Sequence, residues 1–145
     1  MVDHRSDADQ WFDLLTNGPD ASLEGLPTGT GDSAGIFTIW YRDELVEFGL
    51  ATDTAETKPS NFRQADGVRG RVRGLTRQPG RPLQRRLQAL FLEDWAASGE
   101  QSDQKRAAEL LRSRGRCRIV RFESGDAAHA ALQALEDRLG DLRGG

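Results

Sequence analysis

The clearest pattern of apolar and polar positions lies in residues 35–51, and it predicts a β-hairpin. The first strand is rich in β-branched and aromatic side chains, which suit the half-buried surface of a sheet. A short polar turn over 42–44 follows, and residues 45–48 begin the return strand. Gly35 and Gly49 mark the two ends of the hairpin. We expect the rest of the chain to pack on this hairpin or to place charge beside it.

Helical spacing of apolar residues dominates the rest of the chain and indicates a helix-rich α+β domain. In the first predicted helix, Trp11, Leu14 and Leu15 share one face. Ser102 and Ser124 precede helical patterns and are predicted N-caps. The predicted order is a helix over 9–17, a loop over 18–34, two strands within 35–51, helices over 64–77, 82–99 and 103–113, a strand over 116–122 and a helix over 124–140.

The length and composition exclude several classes of protein. A chain of 145 residues indicates one domain with enough residues to form a core. No apolar run approaches the roughly 18 residues that a membrane-spanning helix requires, so we expect no membrane partner. Residues 1–10 are polar and acidic, without the apolar centre of a signal peptide. A single cysteine, Cys117, excludes an internal disulfide and a cysteine-rich zinc site, and we therefore predict a cytoplasmic protein.

The net charge of −3 conceals two regions of opposite sign. Residues 1–33 are acidic, and we interpret them as an N-terminal arm with a short helix, ahead of a domain over 34–145. The region over 63–86 has eight arginines against one acidic residue, Asp66. A local basic run on an acidic protein indicates a specific anionic partner. We call this run the arginine stripe, and its members are Arg63, Arg69, Arg71, Arg73, Arg77, Arg81, Arg85 and Arg86.

Two short motifs of the hairpin, with their context, resemble the GIY-YIG nuclease superfamily. Gly-Ile-Phe at 35–37 and Glu-Phe-Gly at 47–49 correspond to the two half-motifs that name the family. Residues 70–75 resemble its arginine-bearing helix, and residues 134–139 resemble the helix that carries its metal ligand. The resemblance covers about residues 34–140. It implies a small three-stranded antiparallel sheet flanked by helices.

The resemblance also implies a phosphodiester-cleaving site that has lost several groups. Glu136 matches the family's metal ligand, for Mg²⁺ or Mn²⁺, and Arg71 matches the arginine that holds the scissile phosphate. Phe37 replaces the first motif tyrosine, Glu47 the second, and Leu75 a third polar residue. General acid–base assistance is worth about 10²–10⁴-fold, so these replacements predict a weak or inactive nuclease with Glu47 as a substitute base.

Two functions follow as hypotheses. The first is a nucleic-acid-binding protein with a degenerate GIY-YIG-like site, with DNA favoured over RNA; it requires Phe37, Glu47, Arg71 and Glu136 to converge on one shallow groove. The second is a non-catalytic protein-interaction module, whose arginine stripe binds an acidic protein or is masked by the acidic arm. In the first hypothesis, the residues expected to contact phosphates are Arg63, Arg69, Arg73, Arg77, Arg81 and Arg85.

Overall fold

The computed structural model describes residues 4–23, 34–51, 72 and 78–144. These ranges contain five helices and four strands, so the chain is α+β as predicted. The predicted helix over 64–77 lies outside the described residues, apart from Val72. The elements are α1 (His4–Asn17), β1 (Ala21–Ser22), β2 (Ala34–Tyr41), β3 (Glu44–Ala51), α2 (Arg81–Leu90), α3 (Leu92–Ala97), α4 (Asp103–Arg114), β4 (Gly115–Phe122) and α5 (Gly125–Arg143).

The four strands form one open antiparallel sheet in the order β1-β4-β2-β3. β2 pairs with β4 along its whole length and with β3 on its other side. The expected count of three strands was wrong, because Ala21 and Ser22 pair with Cys117 and Arg116 inside what the sequence indicates as a loop. A two-residue strand is too short to show alternation, so its pairing is not visible in the sequence pattern.

The predicted hairpin is confirmed, and its turn has an uncommon backbone conformation. β2 and β3 are joined by Arg42 and Asp43, whose φ angles are +48° and +68°. Two consecutive residues with positive φ match the twist of the flanking strands. Aspartate is among the residues that tolerate this region, whereas a long side chain such as arginine rarely adopts it. Contacts outside the turn therefore help to hold Arg42 in place.

One face of the sheet is covered by α1 and α5. Ser124 caps α5 as predicted, because its side chain accepts a hydrogen bond from the Ala127 N–H. The apolar stripe of α5 packs with Leu15 of α1 and with Ile36 and Leu45 of the hairpin. The stripe is the one that the sequence predicts, and its buried members are Ala128, Ala131, Leu132, Leu135 and Leu139.

The opposite face of the sheet is covered by α2, α3 and α4. Alternation along β2 directs Phe37, Ile39 and Tyr41 to this face and Ile36 to the other. The sheet is therefore the middle of three layers, and it lies between the apolar stripe of α5 and the buried side chains of α2. The helical side chains buried against this face include Leu83, Leu87, Trp95, Ala107, Leu110 and Leu111.

The single helix predicted over 82–99 is in fact two. Phe91, with φ −128° and ψ 60°, leaves the helical conformation and separates α2 from α3. Its ring meets the ring of Tyr41 edge-on, with 4.5 Å between the centroids. Apolar spacing continues across the break, which is why the sequence pattern does not reveal it. The contact with β2 decides the local conformation.

Two further helix details differ from the prediction. α5 does not end at Gly140 but continues to Gly144, whose φ of +84° closes the helix. A glycine inside a helix costs only about 1 kcal/mol, which the buried stripe on both sides offsets. In α1, Leu15 is buried and Trp11 is half-buried, but Leu14 is exposed and does not share their face.

The acidic N-terminal arm is part of the packed fold where the structure describes it. α1 lies on β4 and α5, and β1 extends the sheet. Asp20 pairs with Arg116 at 2.6 Å and with Arg118 at 3.5 Å, and Asp9 pairs with Arg138 at 2.9 Å. These two carboxylates therefore engage β4 and α5. No helix within the described ranges has the length and apolar character to cross a membrane.

Candidate functional site

Phe37, at the position of the family's first motif tyrosine, is a core residue. Its side chain is 1% exposed and packs beneath α2–α4. Its partner across the strands is Gly49, where an added Cβ would lie 2.7 Å from Phe37 Cζ. The ring fills the space that the glycine leaves. Phe37 thus has neither a hydroxyl group nor access to water, and its role here is packing.

Glu47, the expected substitute base, lies at a β-bulge in β3. Ile39 pairs with Glu47 but Trp40 pairs with Leu45, so Val46 is the additional residue on this strand. A bulge on a sheet edge changes the direction of the side chains beside it. β3 is the edge strand of the described sheet, so Glu47 reaches elements on both sides of the edge.

Arg86 of α2 and Arg143 of α5 both approach Glu47, and we call these three residues the edge cluster. Arg143 Nη1 lies 3.0 Å from Glu47 Oε1, and Arg86 Nη1 lies 4.0 Å from Glu47 Oε2. The Phe48 N–H also donates to Glu47 Oε1 at 3.0 Å. Arg86 Nη1 donates in addition to the Val46 carbonyl oxygen at 2.6 Å. The carboxylate is therefore held by cations and by the backbone.

Glu136, the expected metal ligand, is exposed on α5. The stripe of α5, including Leu135, packs on the face of the sheet that carries Ile36. Phe37 lies on the other face, under α2–α4. The sheet therefore separates Glu136 from Phe37, and the structure does not bring these two predicted site residues together.

The described residues do not assemble a divalent-ion site around Glu136. Mg²⁺ prefers carboxylate and other oxygen ligands in near-octahedral geometry. Within 4–23, 34–51, 72 and 78–144, no group of three or more His, Cys, Asp or Glu side chains could hold a metal ion. Glu47 is engaged by Arg143, and His129 is exposed elsewhere on α5. Glu136 is thus a single carboxylate, and no reaction step follows from it.

Part of the predicted phosphate-binding surface lies outside the described residues. This applies to Arg71, although its neighbour Val72 is described and is fully buried in the core beneath α2–α4. Leu75 also lies outside. The other members of the arginine stripe that fall there are Arg63, Arg69, Arg73 and Arg77.

Arg81 and Arg85, the described members of the predicted phosphate-binding set, are exposed on α2. Proline at the start of α2 fits the first turn, where its missing N–H costs no hydrogen bond. The two arginines border an open groove of about 450 Å³ between α2 and α4. Its polar lining offers both donors and acceptors. The lining residues are Arg81, Gln84, Arg85, Gln88, Asp103 and Gln104.

Most described arginines are already paired with carboxylates. By contrast, Arg81 and Arg85 on α2 and Arg112 on α4 are exposed and form no ion pair with any described residue. The groove therefore carries two arginines without an ion pair to any described residue, beside one carboxylate, Asp103, which pairs with Arg106 at 3.7 Å. The eight paired arginines are Arg42, Arg86, Arg106, Arg114, Arg116, Arg118, Arg138 and Arg143.

Asp94 of α3 is a polar centre that the sequence pattern did not identify. It accepts a hydrogen bond from the Tyr41 hydroxyl at 2.8 Å, and it pairs with Arg42 and Arg114. Burial, and then the hydrogen bond to Asp94, raise the pKa of Tyr41 to about 12. Hydrogen bonds from Arg42 and Tyr41 lower the pKa of Asp94. These contacts hold α3 against the hairpin turn. The one sequence signal for them was the position of Tyr41 next to the turn.

Cys117, the only thiol, is not a nucleophile in this fold. It is buried in β4, and this burial raises the pKa of its thiol to about 12. The thiolate is the reactive form, so Cys117 is inert at neutral pH.

No family model, curated protein or solved structure matches this chain.

Proposed function

We propose that this chain is a non-catalytic nucleic-acid-binding protein with a GIY-YIG-like domain, and that DNA contacts the α2 surface. The observation that carries the proposal is the contrast among the arginines. Eight form ion pairs with five carboxylates, whereas Arg81 and Arg85 extend from one helix with no ion pair to any described residue. Uncompensated charge concentrated on one helix attracts a polyanion.

The chemistry of the groove between α2 and α4 suits a phosphate backbone. A guanidinium group presents paired donors that match phosphate oxygens. Gln88 and Gln104 add amide donors of the kind that contact phosphates and sugars without reading sequence. In the sequence the arginine stripe continues upstream of α2 with five further arginines over 63–77.

The expected catalytic residues support binding without hydrolysis. Phe37 is buried, Glu47 is held by Arg143 and the Phe48 N–H, and Glu136 lies beyond the sheet from Phe37. These three positions supply neither a water-positioning hydroxyl nor a second metal ligand. We therefore propose that this chain binds phosphate groups and does not cleave the phosphodiester bond.

Binding to a fluorescent DNA duplex, followed by anisotropy over a range of salt, tests the proposal. The double variant Arg81→Gln/Arg85→Gln removes the two groove charges. Each phosphate contact contributes about 0.9 to the log–log salt slope, so the slope should fall by about 1.8. Arg112→Gln is the matched control, since it removes an equally exposed arginine outside the groove. It should leave the slope nearly unchanged.

Two results would overturn this assignment. Wild-type protein that fails to bind duplex DNA at about 50 mM salt, where phosphate contacts are strong, would remove the nucleic-acid role. Equal losses in the groove variant and in Arg112→Gln would remove the assignment to α2. Binding of an acidic polypeptide in place of DNA, lost in the same double variant, would instead favour a protein-interaction module.

Incubation with supercoiled plasmid and Mg²⁺ or Mn²⁺ tests the absence of cleavage. We expect no cutting by wild type, Glu136→Ala or Arg71→Ala. Metal-dependent cutting that is abolished in Glu136→Ala would restore the nuclease reading of the family resemblance. Cutting that persists equally in both variants would indicate a contaminating nuclease.

A further inference from the structure

The edge cluster carries more positive charge than its carboxylate balances. Arg86 and Arg143 extend from different helices and meet at Glu47, so two guanidinium groups share one negative charge. Only Arg143 is within hydrogen-bond distance of it, at 3.0 Å, while Arg86 stays 4.0 Å away. Among these three described residues, one unit of positive charge thus remains without a balancing carboxylate.

Hydrogen-bond donors in the cluster are also incompletely used. Arg143 Nε is buried and has no hydrogen-bond acceptor within the described part of the chain. A buried donor without an acceptor carries a free-energy cost. Burial and the charge of Arg143 lower the pKa of Arg86, and Glu47 only opposes this shift. The second guanidinium group is therefore in an environment that still favours an anion.

The cluster is accessible and its guanidinium groups are positioned in advance. The side chains of Glu47, Arg86 and Arg143 are 20%, 22% and 24% exposed, so solvent ions reach them. The Arg143 guanidinium lies over the Phe48 ring, 4.5 Å from its centroid. Arg86 is fixed by its hydrogen bond to the Val46 carbonyl oxygen. An anion that binds here would find both cations already oriented.

We propose that Arg86 and Arg143 form a binding site for a phosphate-type oxyanion, in which Glu47 is the resident competitor. A phosphate group carries up to two negative charges and several acceptor oxygens, so it balances two guanidinium groups better than one carboxylate does. This site is separate from the groove beside Arg81 and Arg85, and it stands whether or not that groove binds DNA.

Thermal unfolding with inorganic phosphate, against sodium chloride at equal ionic strength, tests the site. A ligand that binds only the folded chain raises Tm, and a tighter ligand raises it further at the same concentration. We expect phosphate to raise Tm above the chloride value in wild type. Glu47→Gln removes the competing charge and keeps an acceptor for the Phe48 N–H, so phosphate affinity should rise about tenfold. Arg143→Gln should abolish the phosphate response.

Matched controls keep this test decisive. Arg114→Gln removes an arginine paired with Asp94, away from the cluster, and should retain the wild-type response to phosphate. If Arg143→Gln fails to fold, the gain in Glu47→Gln still decides the question. Equal Tm values in phosphate and chloride for Glu47→Gln would overturn the proposal. So would a phosphate response that survives in folded Arg143→Gln.

Competition identifies the source of the bound group. Broadening of the inorganic phosphate ³¹P signal by Glu47→Gln reports occupancy of the site. Release of that signal by a short DNA duplex would assign the site to backbone phosphodiesters. Retention of the broadening in the presence of the duplex would assign it to free phosphate or a phosphate monoester. Absence of broadening at every phosphate concentration would contradict the site itself.

Discussion

The two faces of the sheet are held by different means. One is covered by α5, a single 19-residue helix whose apolar stripe packs with α1. The other is covered by three helices of 10, 6 and 12 residues. Short helices are marginal by themselves and depend on tertiary contacts. Asp94 supplies such a contact, because it joins α3 to Tyr41, Arg42 and Arg114.

This difference separates what a local pattern can specify from what it cannot. A long amphipathic helix needs only its own stripe to dock on a sheet, so α5 is readable from spacing alone. The layer of short helices depends in addition on a hydrogen bond between Asp94 and Tyr41, which are 53 residues apart in the sequence. We call Asp94 and its partners Tyr41, Arg42 and Arg114 the polar anchor, and together with the buried Trp95 it fixes where α3 lies.

The largest expected effect is on the α5 face. Leu135→Ala removes a fully buried side chain from the stripe and should lower the free energy of unfolding by about 2–5 kcal/mol, measured by urea denaturation. Glu136→Ala, one residue along on the exposed side, is the control and should stay within about 0.5 kcal/mol of wild type. A loss of unfolding free energy well below this range would contradict the role of the stripe in packing α5 on the sheet.

Two glycine substitutions should have opposite signs. Gly49→Ala places a methyl group 2.7 Å from Phe37 Cζ, in a core where the ring has no room to move, and should cost about 1–3 kcal/mol. Gly140→Ala meets no neighbouring atom within 4 Å and lies inside α5, so it should stabilise by about 1 kcal/mol. Chemical denaturation measures both. Recovery of Gly49→Ala by Phe37→Leu would confirm the steric cause, and a neutral Gly49→Ala would refute it.

The polar anchor should be visible in the titration of Tyr41, the only tyrosine of the chain. Its pKa is raised to about 12 from an ordinary value of 10.0, so the associated stability is complete below pH 10 and is lost as the pH rises through about 12. Absorbance at 295 nm follows the ionisation directly. Asp94→Asn removes the charge that raises this pKa and should lower it, while burial keeps it above 10.0.

The ionisation of Asp94 gives the opposite pH dependence of stability, at acidic pH. The pKa of Asp94 is lowered in the folded chain, so its contribution is present above the ordinary value of 3.8 and is lost as the pH falls through the lowered value. Asp94→Asn should flatten this acid dependence. A wild-type Tyr41 that ionises near pH 10 would contradict its burial and its hydrogen bond to Asp94.

Much of the fold could be predicted because it is encoded locally. Alternation identified the hairpin and β4, and the serines before α4 and α5 cap these helices as expected. β1 could not be predicted, since two residues show no period. The break at Phe91 could not be predicted either, because it coincides with a contact between Phe91 and Tyr41, which lies on another element.

The candidate site was less predictable than the fold. Motif spacing identified Phe37 and Glu47 as neighbours in one hairpin, but the face of the sheet that each side chain occupies depends on pairing and on the bulge at Val46. The partners of Glu47 are distant in the sequence: Arg86 lies on α2, and Arg143, on α5, follows Glu47 by 96 residues. No short motif records such contacts.

β4 is the last strand to be synthesised, yet it lies between β1 and β2. The hairpin leaves the ribosome before β4 has been synthesised. The backbone N–H and C=O groups on the side of β2 that pairs with β4 therefore have no partners until residues 115–122 are available. Such distant pairing slows folding and leaves an exposed strand that other nascent chains can capture. Aggregation during expression should therefore concentrate in chains truncated before residue 115.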